Sequence, residues 1–331
     1  MRSVLASSVV RGICLGAAIA VQVDGVAASP ATVTIVVPFA AGGPTDKVAQ
    51  AFANEAQRHA GGQTFVVENV GGEGGTIAAA RVARGPADGS VVLLHNIAIS
   101  SAPSLYPSLS YDTVGDFAYL GMLLEVPMVI MGRPQLPTSL AELRGLAGRS
   151  AARLTLAHAG KGSASHLCGL LFQRAIQQQF DAKPYAGNAP ATVDLKSGKV
   201  DLLCDAANTA AQTVQEGQVR PYGLTSTARS RRESLREIPT LQEQGFRNAE
   251  MGVWFGLSVP KATPSAEIAR LADIVRAVAQ SRDFVEEQSA AGAVVISDAR
   301  QSPKGHQSFV AEQIAHWRSV LGPPGSPGDL P

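Results

Sequence analysis

Residues 36–57 read VVPFAAGGPTDKVAQAFANEAQ, an apolar run that passes through two glycines into a helical pattern. Val33, Ile35, Val36 and Val37 have the look of a buried strand, and Val48, Ala49, Phe52 and Ala56 recur at helical spacing. Gly42 and Gly43 therefore occupy a strand-to-helix loop, with Thr45 or Asp46 positioned to cap the first turn. Uncommitted backbone N–H groups and the positive end of the helix dipole make such a loop a candidate anion site. A tight, well-capped turn would explain the same residues. The rest of the chain has to decide between the two.

Outward from this unit, strand and helix patterns alternate. TFVVEN, SVVLLHN, RLTLAHA, KVDLLCD, VRPYGLTS and MGVWFGLSVP read as strands, and FAYLGMLLEVPMVIMGRP as a longer apolar stretch. GGTIAAARVAR, SLAELRGLAG, SASHLCGLLFQRAIQ, APATVDLKSG, SAEIARLADIVRAVAQ and PKGHQSFVAEQIAHWRSVL read as helices. This order predicts an α/β protein with parallel sheets covered on both faces. Two further strand-to-helix junctions carry glycine clusters, ENVGGEGGTIAAA at 68–80 and AHAGKGSASHL at 157–167. Ligands of open parallel sheets bind where loops leave the carboxyl ends of strands. Glycine loops in both the early and the middle part of the chain suggest two sheets facing a shared cleft, which favours binding at the first loop.

Composition sets the outer bounds. At 331 residues, 45% hydrophobic and 17% charged, the chain is long enough for two domains with sizeable cores. A formal charge of +1 and the lack of a basic cluster interleaved with aromatics argue against a nucleic-acid partner. Residues 1–28 carry Arg2 and Arg11 ahead of the apolar run ICLGAAIAVQV and the small residues of GVAAS, the layout of a secretory signal peptide cleaved after Ala28. The apolar run is shorter than the ~20 residues of a membrane span, and Cys14 lacks the preceding small residue of a lipoprotein cleavage box. Without the leader, Cys168 and Cys204 remain, in apolar settings that suit either a disulfide or two buried thiols. The histidines show no ligand spacing, so no metal or other cofactor is expected. The tail GPPGSPGDLP, from about 322, is expected to be disordered.

Signatures of enzymes are missing. The chain contains no GxSxG elbow, no GxGxxG and no P-loop. Ser163, Ser165 and His166 lie close together and Asp205 completes a triad on paper, but Ser163 at a helix start is better explained as a cap.

The series VPFAAGGPTD, VVENVGGEGGTIAAARVARGPADGSVVLL, LYPSLSYDTVGDFAYL, AGKGSASHL, PYAGNAPATVDLKSGKVDLLCDAANTA, IPTLQEQGF and VWFGLSVPKATP, in this order, resembles the extracytoplasmic solute receptors of tripartite tricarboxylate transporters, the Bug family. The resemblance runs from Thr32 to about Leu321. It implies a type II periplasmic-binding-protein fold, two α/β domains joined by two crossover segments around a ligand cleft. The expected division is a signal peptide (1–28), a first domain from 29–125 and 227–331, and a second domain from 126–226. The implied function is capture of a small organic acid in the periplasm, by a monomer, for delivery to membrane transporter subunits. Phe39, Ala41, Gly42, Gly43, Thr45 and Asp46 carry over as one wall of the cleft, with Gly74, Gly75 and Asn96 beside them. Gly160, Ser163, His166 and Asp205 carry over as the opposite wall. His166 serves equally well as a brace for its own loop, and Asp46 as a helix cap.

Departures from the family pattern bear on the ligand. Ala186 stands where a lysine is common, Glu73 replaces a small residue, Ala78 replaces a glycine, and Lys161 is an added cation. DAANTA lacks the longer polar side chains often found after Asp205. A dicarboxylate, an aromatic acid, an amino acid and a nicotinate-like acid all stay open. So do a ligand-sensing receptor and a secreted enzyme built on the same cleft.

Overall fold

The structure is a computed structural model in which residues 29–149 and 153–322 are described. The expected leader, and the expected disordered tail apart from its first residue, lie outside the described residues. The first half of the chain forms β1 (Thr32–Val37), α1 (Pro44–His59), β2 (Thr64–Asn69), α2 (Thr76–Ala83), β3 (Val91–Asn96), α3 (Ala98–Leu105), β4 (Phe117–Gly132) and α4 (Leu140–Arg149). There follow β5 (Thr155–His158), α5 (Ala164–Ile176), β6 (Asp181–Pro184), α6 (Asn188–Lys196), β7 (Leu202–Ala206), α7 (Ala207–Gln215) and β8 (Arg220–Leu224). The chain closes with β9 (Gly252–Pro260), α8 (Ser265–Gln280), α9 (Arg282–Ala290), β10 (Val294–Val295) and α10 (Pro303–Leu321).

Among the described residues, two sets of strands pair in parallel, β2–β1–β3 and β7–β5–β6, and Leu224 of β8 forms an isolated parallel bridge with Thr240. Between them β9 and β4 run antiparallel to their neighbours, which the expectation of purely parallel sheets did not include. The reason is β4 itself. From Phe117 to Pro127 it pairs with β9, and from Met128 to Gly132 it pairs with β7 and β8. Pro127, which has no N–H to give a ladder, falls at the residue where the partners change.

The segment that follows β8 stays beside that strand. Leu224 N–H donates to Pro239 O (3.0 Å), Leu241 N–H to Leu224 O (2.8 Å), and Gln244 Nε2 to Tyr222 O (2.9 Å). The segment IPTLQEQGF thus runs alongside β8, held there by buried Leu235, Ile238 and Leu241. The chain returns at Met251, whose N–H donates to Thr225 O (3.1 Å), and enters β9 at Gly252.

Helix α1 shows how the sequence places a loop over the sheet. Val48, Ala49, Phe52 and Ala56 are buried on its inner face, and Phe52 meets Phe65 of β2 edge to face at 6.1 Å. Alanine on that face lets the helix lie close to the strands, which fixes the height of its N-terminus above β1. Cys168 of α5 and Cys204 of β7 are joined in a disulfide, Cα to Cα 6.2 Å. Of the two states the sequence allowed, this is the bonded one.

Candidate functional site

Loops from both sets of parallel strands close on a small cavity of about 30 Å³. Phe39, Pro44, Thr45 and Asn96 line it on one side, and Ala159, Ser163, Ala164, Ser165, Asn188 and Ala206 on the other. Met128, Val253 and Phe255, from the strands that cross between the halves, form its floor. Its capacity is roughly two water-sized groups, so any larger ligand enters with the walls further apart.

The lining shows how an uncharged site can attract an anion. Pro44 and Thr45 begin α1, Ser163 is the N-cap of α5, Asn188 begins α6 and Ala206 is the N-cap of α7. The positive ends of these helices therefore converge on one cavity, while no lining side chain carries a charge. Each helix end favours an anion by about 0.3–1 kcal/mol at an exposed site, and more where water is excluded.

Hydrogen bonds orient the polar lining. Asn96 Oδ1 accepts from Ala98 N–H (3.0 Å), which turns its Nδ2 to donate to Thr45 Oγ1 (3.1 Å). The Thr45 hydroxyl proton is then left to donate elsewhere. Ser165 Oγ accepts from Ala159 N–H (2.9 Å) and shares a hydrogen bond with Ser163 Oγ (3.1 Å). Asn188 Nδ2 donates to Asp205 Oδ1 (2.5 Å) and to Cys204 O (3.3 Å).

Of the residues singled out from the sequence, Phe39, Thr45, Asn96 and Ser163 line this cavity. The others lie around it. Neither Thr45 nor Asp46 caps α1, because Gly43 is the N-cap and Pro44 follows it. Asp46 instead holds the loop, with Oδ2 accepting from Gly42 N–H (2.8 Å) and Oδ1 from Asn69 Nδ2 (3.0 Å). Ala41 and Gly42 stay exposed at the rim. Gly74 and Gly75 line a separate, smaller hollow with Pro38, His95 and Tyr111.

His166 braces its own loop: Nδ1 accepts from Gly162 N–H (3.2 Å), and burial pushes the imidazole down to about 3, with His158 and Lys161 adding to the effect. Its backbone N–H donates to Ser163 Oγ (3.3 Å). Asp205 does not face His166; its carboxylate receives Asn188, Ala206 N–H (2.9 Å) and Thr209 Oγ1 (2.8 Å). Burial raises this carboxyl to about 6 against those hydrogen bonds and the charge of Lys47. The paper triad is therefore not assembled. Asn188, Met128 and Phe255 were missed in the sequence as lining residues, although Asn188 sits two residues beyond the noted Ala186, and Ser165 was noted only as part of the paper triad.

The walls touch above the cavity. Ala40 N–H donates to Ala186 O (3.1 Å), Ser101 Oγ to Gly162 O (2.8 Å), and Tyr106 Oη to Lys161 O (2.9 Å). Gly74 and Gly160 permit this approach. A Cβ on Gly74 would lie 1.9 Å from Lys161 O, and one on Gly160 2.5 Å from Gly74 N.

Two facing α/β halves, a shared strand and a cavity closed between helix ends define a two-domain solute-binding protein. The sequence profile described as tripartite tricarboxylate transporter family receptor matches residues 48–323, and the chain belongs to that family. Among solved structures it is similar to the periplasmic binding protein BugD, at 37% identity and a TM-score of 0.83, covering 88% of this chain and 96% of that one. It is also similar to MatC from Rhodopseudomonas palustris with bound malate, at 34% identity and a TM-score of 0.81, covering 87% and 98% of the two chains. A third, the R. palustris protein Rpa4515 with adipate, shares 32% identity at a TM-score of 0.81 over 88% and 96%.

Proposed function

We propose that this receptor captures a small carboxylate in the periplasm and delivers it to the membrane subunits of a tripartite transporter. The observation that carries the reading is the convergence of the N-termini of α1, α5, α6 and α7 on a cavity with no charged side chain in its lining. Backbone N–H groups, the Thr45 hydroxyl and the serine pair supply donors that a carboxylate can accept from without a buried arginine. Family relatives solved with malate and with adipate support the same ligand class. The export signal read in residues 1–28 supports the compartment.

On this reading the protein binds its ligand and releases it unchanged. Ser163, His166 and Asp205 are each committed to local hydrogen bonds, so these three do not form a nucleophile–base pair. The domain division that suits the hydrogen bonding runs through β4 near Pro127 and returns at Met251–Gly252, with 128–250 as the second domain. The two crossings act as a hinge, and the protein works as a monomer.

Native mass spectrometry of the exported protein before and after denaturation tests the ligand class. Release of a small organic acid, unmodified after incubation, is the expected result. A neutral or cationic ligand in its place, or turnover of the acid, would overturn the proposal.

A further inference from the structure

We propose that a groove behind the hinge shuts when the cleft opens, and that Val294 on one of its walls governs the balance between the open and the closed receptor. The inference rests on the hinge reading above and adds a surface, remote from the ligand, that sets how firmly the ligand is held.

The groove encloses about 940 Å³ and lies apart from the cleft. Pro127, Met251 and Gly252, where the chain crosses between the halves, form its floor. Val294 and Val295 of β10 stand on one wall, and the segment from Thr225 to Arg232, which follows β8, makes the other. Side chains of a strand alternate between its two faces. Met128 and Val253 belong to the floor of the cleft, whereas Pro127 and Gly252, register partners one residue earlier on each strand, belong to the groove. Cleft and groove therefore lie on opposite faces of the crossing strands.

Two bodies that turn about a strip between two hollows cannot widen one without narrowing the other. In the closed form the cleft walls touch, while the groove walls meet only near the α9–β10 turn, where a Cβ on Gly292 would lie 3.6 Å from Ala207 Cβ. The rest of the groove is left to close as the cleft opens.

The groups that would then meet are on both walls. Val294 is 66% exposed in the closed form, so narrowing of the groove takes apolar surface out of water and favours opening. Opposite it, Arg229 is paired with Glu243 (3.0 Å), but Arg231 and Arg232 make no ion pair among the described residues, and Glu250 offsets only one of their charges. Glu125, register partner of Val294 with Arg300 Nη1 at 3.9 Å, shares the wall of Val294 and moves with it. A cation at position 294 would thus be repelled as the groove shuts.

Spin labels at exposed Gln50 of α1 and Val193 of α6, on opposite halves, test this by double electron–electron resonance, without ligand and with malate or adipate added. In the ligand-free protein Val294→Ser is expected to raise the closed-to-open ratio about threefold, and Val294→Lys about ten- to thirtyfold. Adding Arg231→Glu and Arg232→Glu to Val294→Lys turns repulsion into attraction and is expected to bring the ratio back to the wild-type value or below it. Val66→Lys, an equally exposed change away from the groove, is expected to leave the ratio within about twofold. Two distances whose ratio Val294→Lys leaves unmoved, or shifts toward the open form, overturn the proposal alone. One distance common to the wild type and every variant, with and without the acids, removes the hinge reading and the proposal together.

Discussion

The hydroxyl of Tyr106 lies 2.9 Å from the backbone carbonyl of Lys161 and 2.8 Å from that of Glu73, so one side chain ties together loops from opposite walls of the cleft. A hydroxyl has one proton to share between the two carbonyls. It is therefore a latch of modest strength, suited to a cleft that has to reopen.

Tyr106→Phe is expected to weaken ligand binding by about two- to tenfold, the worth of one net hydrogen bond, chiefly through faster release. Stopped-flow dissociation rates would show it. An unchanged off-rate would mean that this contact plays no part in holding the closed form.

The two glycines of the opening loop separate. Gly42 has φ +78°, which a side chain rarely adopts, whereas Gly43 has φ −79° and a Cβ there would lie 3.4 Å from Ala40 O. Gly42→Ala is expected to lower stability by about 1–2 kcal/mol. Gly43→Ala is expected to leave stability within about 0.5 kcal/mol and to cost roughly tenfold in affinity by crowding the first-turn N–H groups of α1. Denaturant melts and calorimetry on both variants distinguish the effects, and full affinity in Gly43→Ala would remove the α1 terminus from ligand contact.

Acid should loosen the fold through His95 and His306, which stack at 5.0 Å beside Tyr119 and Trp254. Burial holds His95 at about 3 and His306 well below the usual imidazole range, with each depressed further by, or packed against, the other ring. Unfolded histidines take up protons below about pH 6.5 while these stay neutral, so their contribution is complete above that value and drains away toward pH 3, at up to about 1.4 kcal/mol per pH unit for each ring. Asp205, raised to about 6, acts in the opposite sense: its cost to stability sets in as pH rises from about 4 to 6. His95→Leu is expected to flatten the acid limb below pH 6 in urea titrations; an unaltered slope would place the acid sensitivity elsewhere.

The Cys168–Cys204 bridge spans 36 residues and ties α5 to β7. Replacing both cysteines by serine is expected to lower stability by about 2–4 kcal/mol. A melting temperature unchanged by the double substitution would show that the bridge does not form in the exported protein.

Much of this architecture was legible because apolar period and turn chemistry agreed. Helices α8 and α10 end where SAEIARLADIVRAVAQ and PKGHQSFVAEQIAHWRSVL end, each a long amphipathic run. Helix α3 was not, because AISSAPSL carries Pro103 and serines that bond back to their own helix. Strand β6, DAKP, is exposed throughout and ends in proline, so it offers no alternation. At the candidate site, Gly74 and Gly160 of the glycine clusters lie where the walls touch, and the cavity is lined by residues beside them. Asn188 escaped notice because an asparagine after glycine reads as turn chemistry until Asp205, distant in sequence, is seen to orient it.

A cavity whose positive character comes from the ends of α1, α5, α6 and α7 has a consequence for how such receptors diverge. The attraction for an acid is written into the main chain, so no single side-chain replacement in the lining erases it. Phe39, Met128, Asn188 and Phe255 are then free to vary, and a duplicated gene could acquire a new nutrient while keeping its hold on the common acid group.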